Sequence, residues 1–111
     1  MERDGSHYIL NGEKSSISAN RIAAGTVVFA RTGRPEDRAR GVTAILVPMD
    51  LDGITTSKFD NLGQNSIGHG SIWFDNVRVP AENLLGEEGR GFAYAMAGLD
   101  GGRLNIAAGA L

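Results

Sequence analysis

The chain has 111 residues, 41% of them apolar, which supplies one hydrophobic core and not two. A formal charge of −2 spread over interspersed acids and bases leaves no basic stripe, which excludes the electrostatic footprint of a nucleic-acid binder. Without cysteine there are no disulfide staples or thiolate metal sites, and the apolar runs are too short to span a bilayer, so a soluble, cytoplasmic protein with no membrane partner is expected.

Sixteen glycines form no low-complexity tract and sit mostly singly between apolar runs, as the turn residues of a many-stranded sheet would. His7-Tyr8-Ile9-Leu10, followed by Asn11-Gly12 and Glu13-Lys14, carries the Asn-Gly signal of a tight hairpin. Ser15 to Asn20 reads as a short polar strand or loop in which Ile17 is the one large apolar residue. Thr26 to Ala30 is a continuous β-branched and aromatic run and predicts a buried strand. Arg31 to Gly41, charged and punctuated by Gly and Pro, predicts an exposed loop. Val42 to Pro48 predicts another strand, Asp50 to Gly53 a turn, and Ile54 to Phe59 an alternating, solvent-facing strand. Asn61 to Gly70 is a glycine-rich connector. In Ser71 to Val79, Ile72, Phe74, Val77 and Val79 cannot share one face of a regular strand, so a bulge is expected near Asp75-Asn76.

Beyond Gly86 the period changes. Phe92, Met96 and Leu99 have helical spacing, and Ile106 and Leu111 extend the apolar face. Asp100-Gly101-Gly102 weakens this segment, which leaves open one helix with a soft point or two helices. The whole reads as about six strands followed by a C-terminal α-helix. It is mainly β, a small antiparallel barrel or sandwich rather than a parallel sheet.

The chemistry-bearing residues are sparse. His7 and His69 stand far apart, and no ligand spacing suggests a metal. Between Gly68 and Gly70, His69 reads as a turn residue rather than a ligand or a base. Glu87-Glu88 reads as an acidic complement to a helix dipole. Gly86-x-x-Gly89-x-Gly91 lacks the Lys-Ser/Thr and the βαβ setting of a phosphate loop. Ser15 to Asn20 either presents hydrogen-bonding groups to a planar polar ligand or is an edge strand whose serines meet water. Arg103 is the single cation of the last stretch.

Four segments, taken in order, carry a resemblance. They are Asp4-Gly5-x-x-Tyr8-x-Leu10-Asn11-Gly12-x-Lys14, then Gly41 to Val47, then Phe74 to Gly86 continued by Glu88-Gly89-x-Gly91-Phe92, and last Leu99-Asp100-Gly101-Gly102-Arg103-x-Asn105-Ile106-Ala107. Together they resemble the acyl-CoA dehydrogenase family over nearly the whole chain. The resemblance implies that residues 1–86 are a middle β-barrel domain lacking its first strand or strands. Residues 87–111 would begin a C-terminal helical domain, so the barrel is expected to be incomplete.

The same resemblance implies FAD as cofactor, oxidation of an acyl-CoA thioester to α,β-enoyl-CoA, and an electron-transfer flavoprotein-type acceptor. It implies partnership with missing N- and C-terminal domains, a homo-tetramer for the full-length form, and the mitochondrial matrix if the source is eukaryotic. The family's flavin-touching strand maps onto Ser16, Ile17 and Ser18, with Ser18 keeping the hydroxyl near flavin N5. Ser16 departs from the usual aromatic, and Ala19 and Asn20 depart from the usual Asn-Gly. The acyl-CoA site maps onto Asp100 and Arg103. Where some branches place the catalytic glutamate stands Gly102, so no catalytic base is expected in this chain and the isolated chain is expected to be inactive. The Asp100-to-Arg103 match favours a dehydrogenase over flavin monooxygenases of similar fold. The alternative is a non-catalytic β module that binds no flavin and acts by protein association.

Overall fold

The structure, a computed structural model, describes residues 1–63 and 65–110. Gln64 of the expected connector and Leu111 of the expected helix face lie outside the described residues. The elements in chain order are β1 (Glu2–Asp4), β2 (His7–Ser18), β3 (Gly25–Arg31), β4 (Val42–Pro48), β5 (Ile54–Thr56), β6 (His69–Pro80) and α1 (Gly91–Gly109). Strands β1, β2, β6 and β5 form a four-stranded antiparallel sheet in that order, and β3 and β4 form a two-stranded one, with no closed barrel among the described residues. Six strands and a C-terminal helix are present, with β1 outside the expected strands and β2 joining the expected hairpin arms to the segment from Ser15. The chain divides into two compact units, Met1–Val27 with Leu46–Asn83, and Val28–Ile45 with the chain from Leu84 onward.

In the first unit the tight hairpin lies earlier than expected. Asp4 pairs with His7, so Gly5-Ser6 is the two-residue turn between β1 and β2, with Gly5 at φ +59°. At Asn11-Gly12 the chain does not turn, and β2 runs straight through. The reason is the partner strand: between the pairs Leu10–Val77 and Gly12–Phe74, β6 carries the extra residue of a bulge at Asp75-Asn76. Asn76 sits at φ +49°, its backbone N–H donates to Asn11 Oδ1 at 2.7 Å, and Asn11 Nδ2 donates back to Asn76 Oδ1 at 3.1 Å. Asn-Gly here answers a bulge across the sheet. That bulge, expected from the apolar pattern, keeps Ile72, Phe74, Val77 and Val79 all buried.

A second bulge places Ser15-Ser16 opposite Ser71, with Ser16 at φ +62°. The Asp50 to Gly53 turn is present, and Gly53 needs its positive φ of +89°. Strand β5 is shorter than the expected Ile54 to Phe59. The ladder nevertheless continues past it, through Ser57 N–H to Ser71 O at 3.0 Å and Phe59 N–H to His69 O at 2.7 Å. Here the backbones close in tightly: a Cβ on Gly70 would collide with the Ser57 carbonyl.

Strand β3 is not the continuously buried run its composition suggests. It alternates, with Val28 buried and Val27 exposed, because it pairs with β4 alone. The expected loop contains a 3₁₀ segment, Pro35–Gly41, interrupted at Arg38 with φ +49°. In the second unit the passage into α1 is held on β4. Leu85 N–H donates to Ala44 O at 3.0 Å, and Gly89 N–H donates to Thr43 Oγ1 at 2.9 Å. A Cβ on Gly91 would stand 2.6 Å from the Thr43 carbonyl carbon, so a side chain is excluded where the helix begins.

Helix α1 passes unbroken through Asp100-Gly101-Gly102, which settles the alternative left by the sequence in favour of one helix. Glu87 and Glu88 do not complement its dipole as expected. They precede its first residue, and its first turn holds no acid. No helix among the described residues is long and apolar enough to cross a membrane.

Candidate functional site

Ser16, Ile17 and Ser18 close strand β2. The bulge at Ser15-Ser16 takes Ser16 out of regular pairing, and its side chain is exposed. Ile17 is half-buried and pairs with Gly70, while Ser18 is exposed and pairs with His69. Neither serine hydroxyl has a hydrogen-bond partner among the described residues. Exposed hydroxyls on a strand paired with β6 make a surface that can donate to, or accept from, a polar planar ligand. The structure thus brings these three together at one end of the four-stranded sheet.

Asp100 and Arg103 belong to the other unit, one helical turn apart on α1. They form an i, i+3 ion pair at 3.5 Å with both side chains largely exposed. At that exposure the pair contributes little to stability, about 0.5 kcal/mol or less. Its effect is to orient the guanidinium while leaving most of its donors free for an anionic or carbonyl-bearing ligand.

The structure gives two residues near the serines a place that the sequence reading did not. His69 is not in a turn but is the first residue of β6, one strand over from Ser18. Asn20, noted only as a departure from the family pattern, is 2% exposed. Its Nδ2 donates to Ser57 O at 2.8 Å and Ser71 O at 2.9 Å, which ties the turn after β2 to the chain beyond β5 and to β6. Its Oδ1 is buried with no partner among the described residues. Asn20 also lines an open cleft of about 590 Å³ in the first unit, together with Arg21, Met49, Asp50 and Ile54. Both residues are legible only through strand register, which a single sequence does not display.

The family model described as acyl-CoA dehydrogenase, middle domain, matches residues 1–77. The mitochondrial short-chain specific acyl-CoA dehydrogenase of Rattus norvegicus is 44% identical over 109 residues, 97% of this chain and 26% of that protein. Among solved structures, a glutaryl-coenzyme A dehydrogenase in complex with glutaryl-CoA superposes with a TM-score of 0.92 at 36% identity, covering 97% of this chain and 27% of the other. Butyryl-CoA dehydrogenase from Megasphaera elsdenii gives a TM-score of 0.89 at 38% identity, covering 96% of this chain and 28% of the other. The chain therefore spans about a quarter of the length of the relatives it matches. With the model match running through both bulged strands and the structural match continuing into α1, this chain belongs to the acyl-CoA dehydrogenase family.

Proposed function

We propose that the chain supplies part of the flavin- and substrate-binding surface of an FAD-dependent acyl-CoA dehydrogenase. Residues 1–86 would contribute the β domain, and residues from 87 onward would begin a helical one. The observation that carries the reading is the free, exposed hydroxyl of Ser18, at the end of a strand that is bulged at Ser16 and pinned by β6. An isoalloxazine fits such a surface, because its polar edge needs a hydrogen-bond donor presented by a rigid element. When bound, FAD would supply the redox chemistry. Ser18 would hold the ring's polar edge, Ile17 would support its apolar part, and Asp100 would orient Arg103 toward the thioester ligand.

The relatives' names supply the substrate class, since they act on short-chain, isobutyryl and glutaryl thioesters of coenzyme A. Acyl-CoA as ligand, a flavoprotein electron acceptor, a homo-tetramer and a mitochondrial or cytoplasmic location all belong to this proposal. A second reading, association without flavin, draws on one observation: Leu104 and Ile106 of α1 are 75% and 77% exposed.

Titrating the purified chain with FAD separates the two readings. Quenched flavin fluorescence with a visible spectrum that stays with the protein is expected. A chain that remains colourless after added FAD would overturn the flavin reading. Ser18→Ala is expected to weaken FAD binding about 3- to 10-fold, the worth of one hydrogen bond. Unchanged affinity would remove Ser18 from the contact surface.

A further inference from the structure

Ser18 and His69 are register partners on adjacent antiparallel strands. The next bond along, Ala19 N–H to Gly68 O at 3.0 Å, makes theirs a non-hydrogen-bonded pair, the kind in which side chains on one face approach most closely. On the opposite flank, Phe59 N–H donates to His69 O, so His69 is the middle residue of a row Ser18–His69–Phe59 across three chain segments. Two contacts fix the imidazole. Asn61 Nδ2 donates to His69 Nδ1 at 3.0 Å, which leaves the ring hydrogen on Nε2. The Phe59 ring meets it edge-on, with centroids 5.6 Å apart and planes at 82°. Among the described residues, and its chain neighbours aside, nothing lies within 4 Å of where a Cβ on Gly68 would stand.

Alternation along β6 sets His69, Ser71 and Trp73 on one face, and Trp73 pairs with Glu13 there. Ser71 Oγ donates to Glu13 Oε1 at 2.9 Å, and Trp73 is 39% exposed. The face that carries the Ser18 hydroxyl is thus lined by rings of β6, whereas Ser16 on β2 has none to offer.

We propose that His69 is a second ligand-contacting residue of the flavin surface, its oriented imidazole beside Ser18 giving the planar ring the aromatic contact that Ser16 cannot. This rests on the assignment of Ser16 to Ser18 to the flavin. The ring needs no rearrangement to serve, since Asn61 and Phe59 already hold it. Its Nε2–H adds a donor next to the Ser18 hydroxyl, so the pair recognises an acceptor edge and a π-face together.

The test titrates the purified chain with FAD, following flavin fluorescence, with Trp73 emission as the check that each variant folds. His69→Ala is expected to weaken binding roughly 2- to 10-fold, as removal of one aromatic contact would, and His69→Phe to restore most of it. The unaltered chain gives a reading that needs no variant: in NMR spectra with FAD added, the ring signals of His69 should shift while those of His7, the other histidine, stay in place. If Ser18→Ala weakens binding but His69→Ala binds normally and its ring signals do not move, the His69 proposal fails and the flavin assignment stands. Equal losses in His69→Ala and His69→Phe would overturn the ring contact. If the chain binds no FAD, or neither Ser18 nor His69 matters, the flavin assignment itself falls and the proposal with it.

Discussion

Along β6 the apolar residues Ile72, Phe74, Val77 and Val79 are all buried, and a bulge at Asp75-Asn76 keeps them so. Along α1 the apolar residues Phe92, Met96, Leu99, Leu104 and Ile106 are all exposed, and the helix is regular from end to end. The two regions meet the same demand, burial of apolar surface, from opposite directions. In the sheet, tertiary register overrides local regularity, and the chain accepts positive φ at Ser16 and Asn76 to satisfy it. In the helix, the local ladder is unbroken and the apolar demand is unmet. Most helical stability in proteins comes from burying such a face, so α1 is the region whose energetics depend on a covering surface.

Substitutions can break or sharpen that contrast. The largest expected difference is between two isoleucines. Ile72→Ala should cost about 2 to 5 kcal/mol through lost burial and the cavity left behind, whereas Ile106→Ala should change stability by about 0.5 kcal/mol or less. Urea denaturation followed by the emission of Trp73, the single tryptophan, measures both. Comparable losses would show that α1 is covered in solution. A dependence of the midpoint on protein concentration would then identify the cover as another copy of the chain.

What the sequence made legible follows the same division. A short apolar run ended by Pro located β4, alternation located β6, and the excess of apolar positions in Ser71 to Val79 located the bulge, because burial of every large residue leaves a count that a regular strand cannot meet. The Asn11-Gly12 signal was read as a hairpin because a tolerance for positive φ is common to turns and bulges. Which of the two applies depends on residues 65 positions away. The serines of the candidate site were legible through family resemblance, but His69 beside Ser18 and Asn20 bonded to the Ser57 and Ser71 carbonyls follow from pairing alone. The glycines of α1 left the reading open: propensity allows either a soft point or a break at Gly101-Gly102, and the helix runs through them.

The bulge offers a test of intermediate size. Asn11→Ala removes the acceptor of the Asn76 N–H and the donor to Asn76 Oδ1 in one step. Because both residues are exposed, water replaces part of what is lost, and about 1 kcal/mol of destabilisation is expected by urea denaturation. A neutral result would mean that the backbone and the positive φ of Asn76 hold the bulge without the side-chain pair.

The smallest expected effect has the opposite sign and reaches the other half of the contrast. Gly101 is exposed in the interior of α1, and an added Cβ would meet nothing within 4 Å. Its backbone is helical, so alanine fits without strain and narrows the unfolded ensemble. Gly101→Ala should therefore stabilise the helix by about 0.5 to 1 kcal/mol, seen as greater ellipticity at 222 nm. The same change at Gly70 would drive a methyl into the Ser57 carbonyl, so a stabilising glycine-to-alanine change is a property of the helix and not of the sheet. Lower ellipticity in Gly101→Ala would mean that the position is occupied in solution by a surface needing the bare backbone. In that event α1, like β6, would owe its glycines to register with a neighbour rather than to chance.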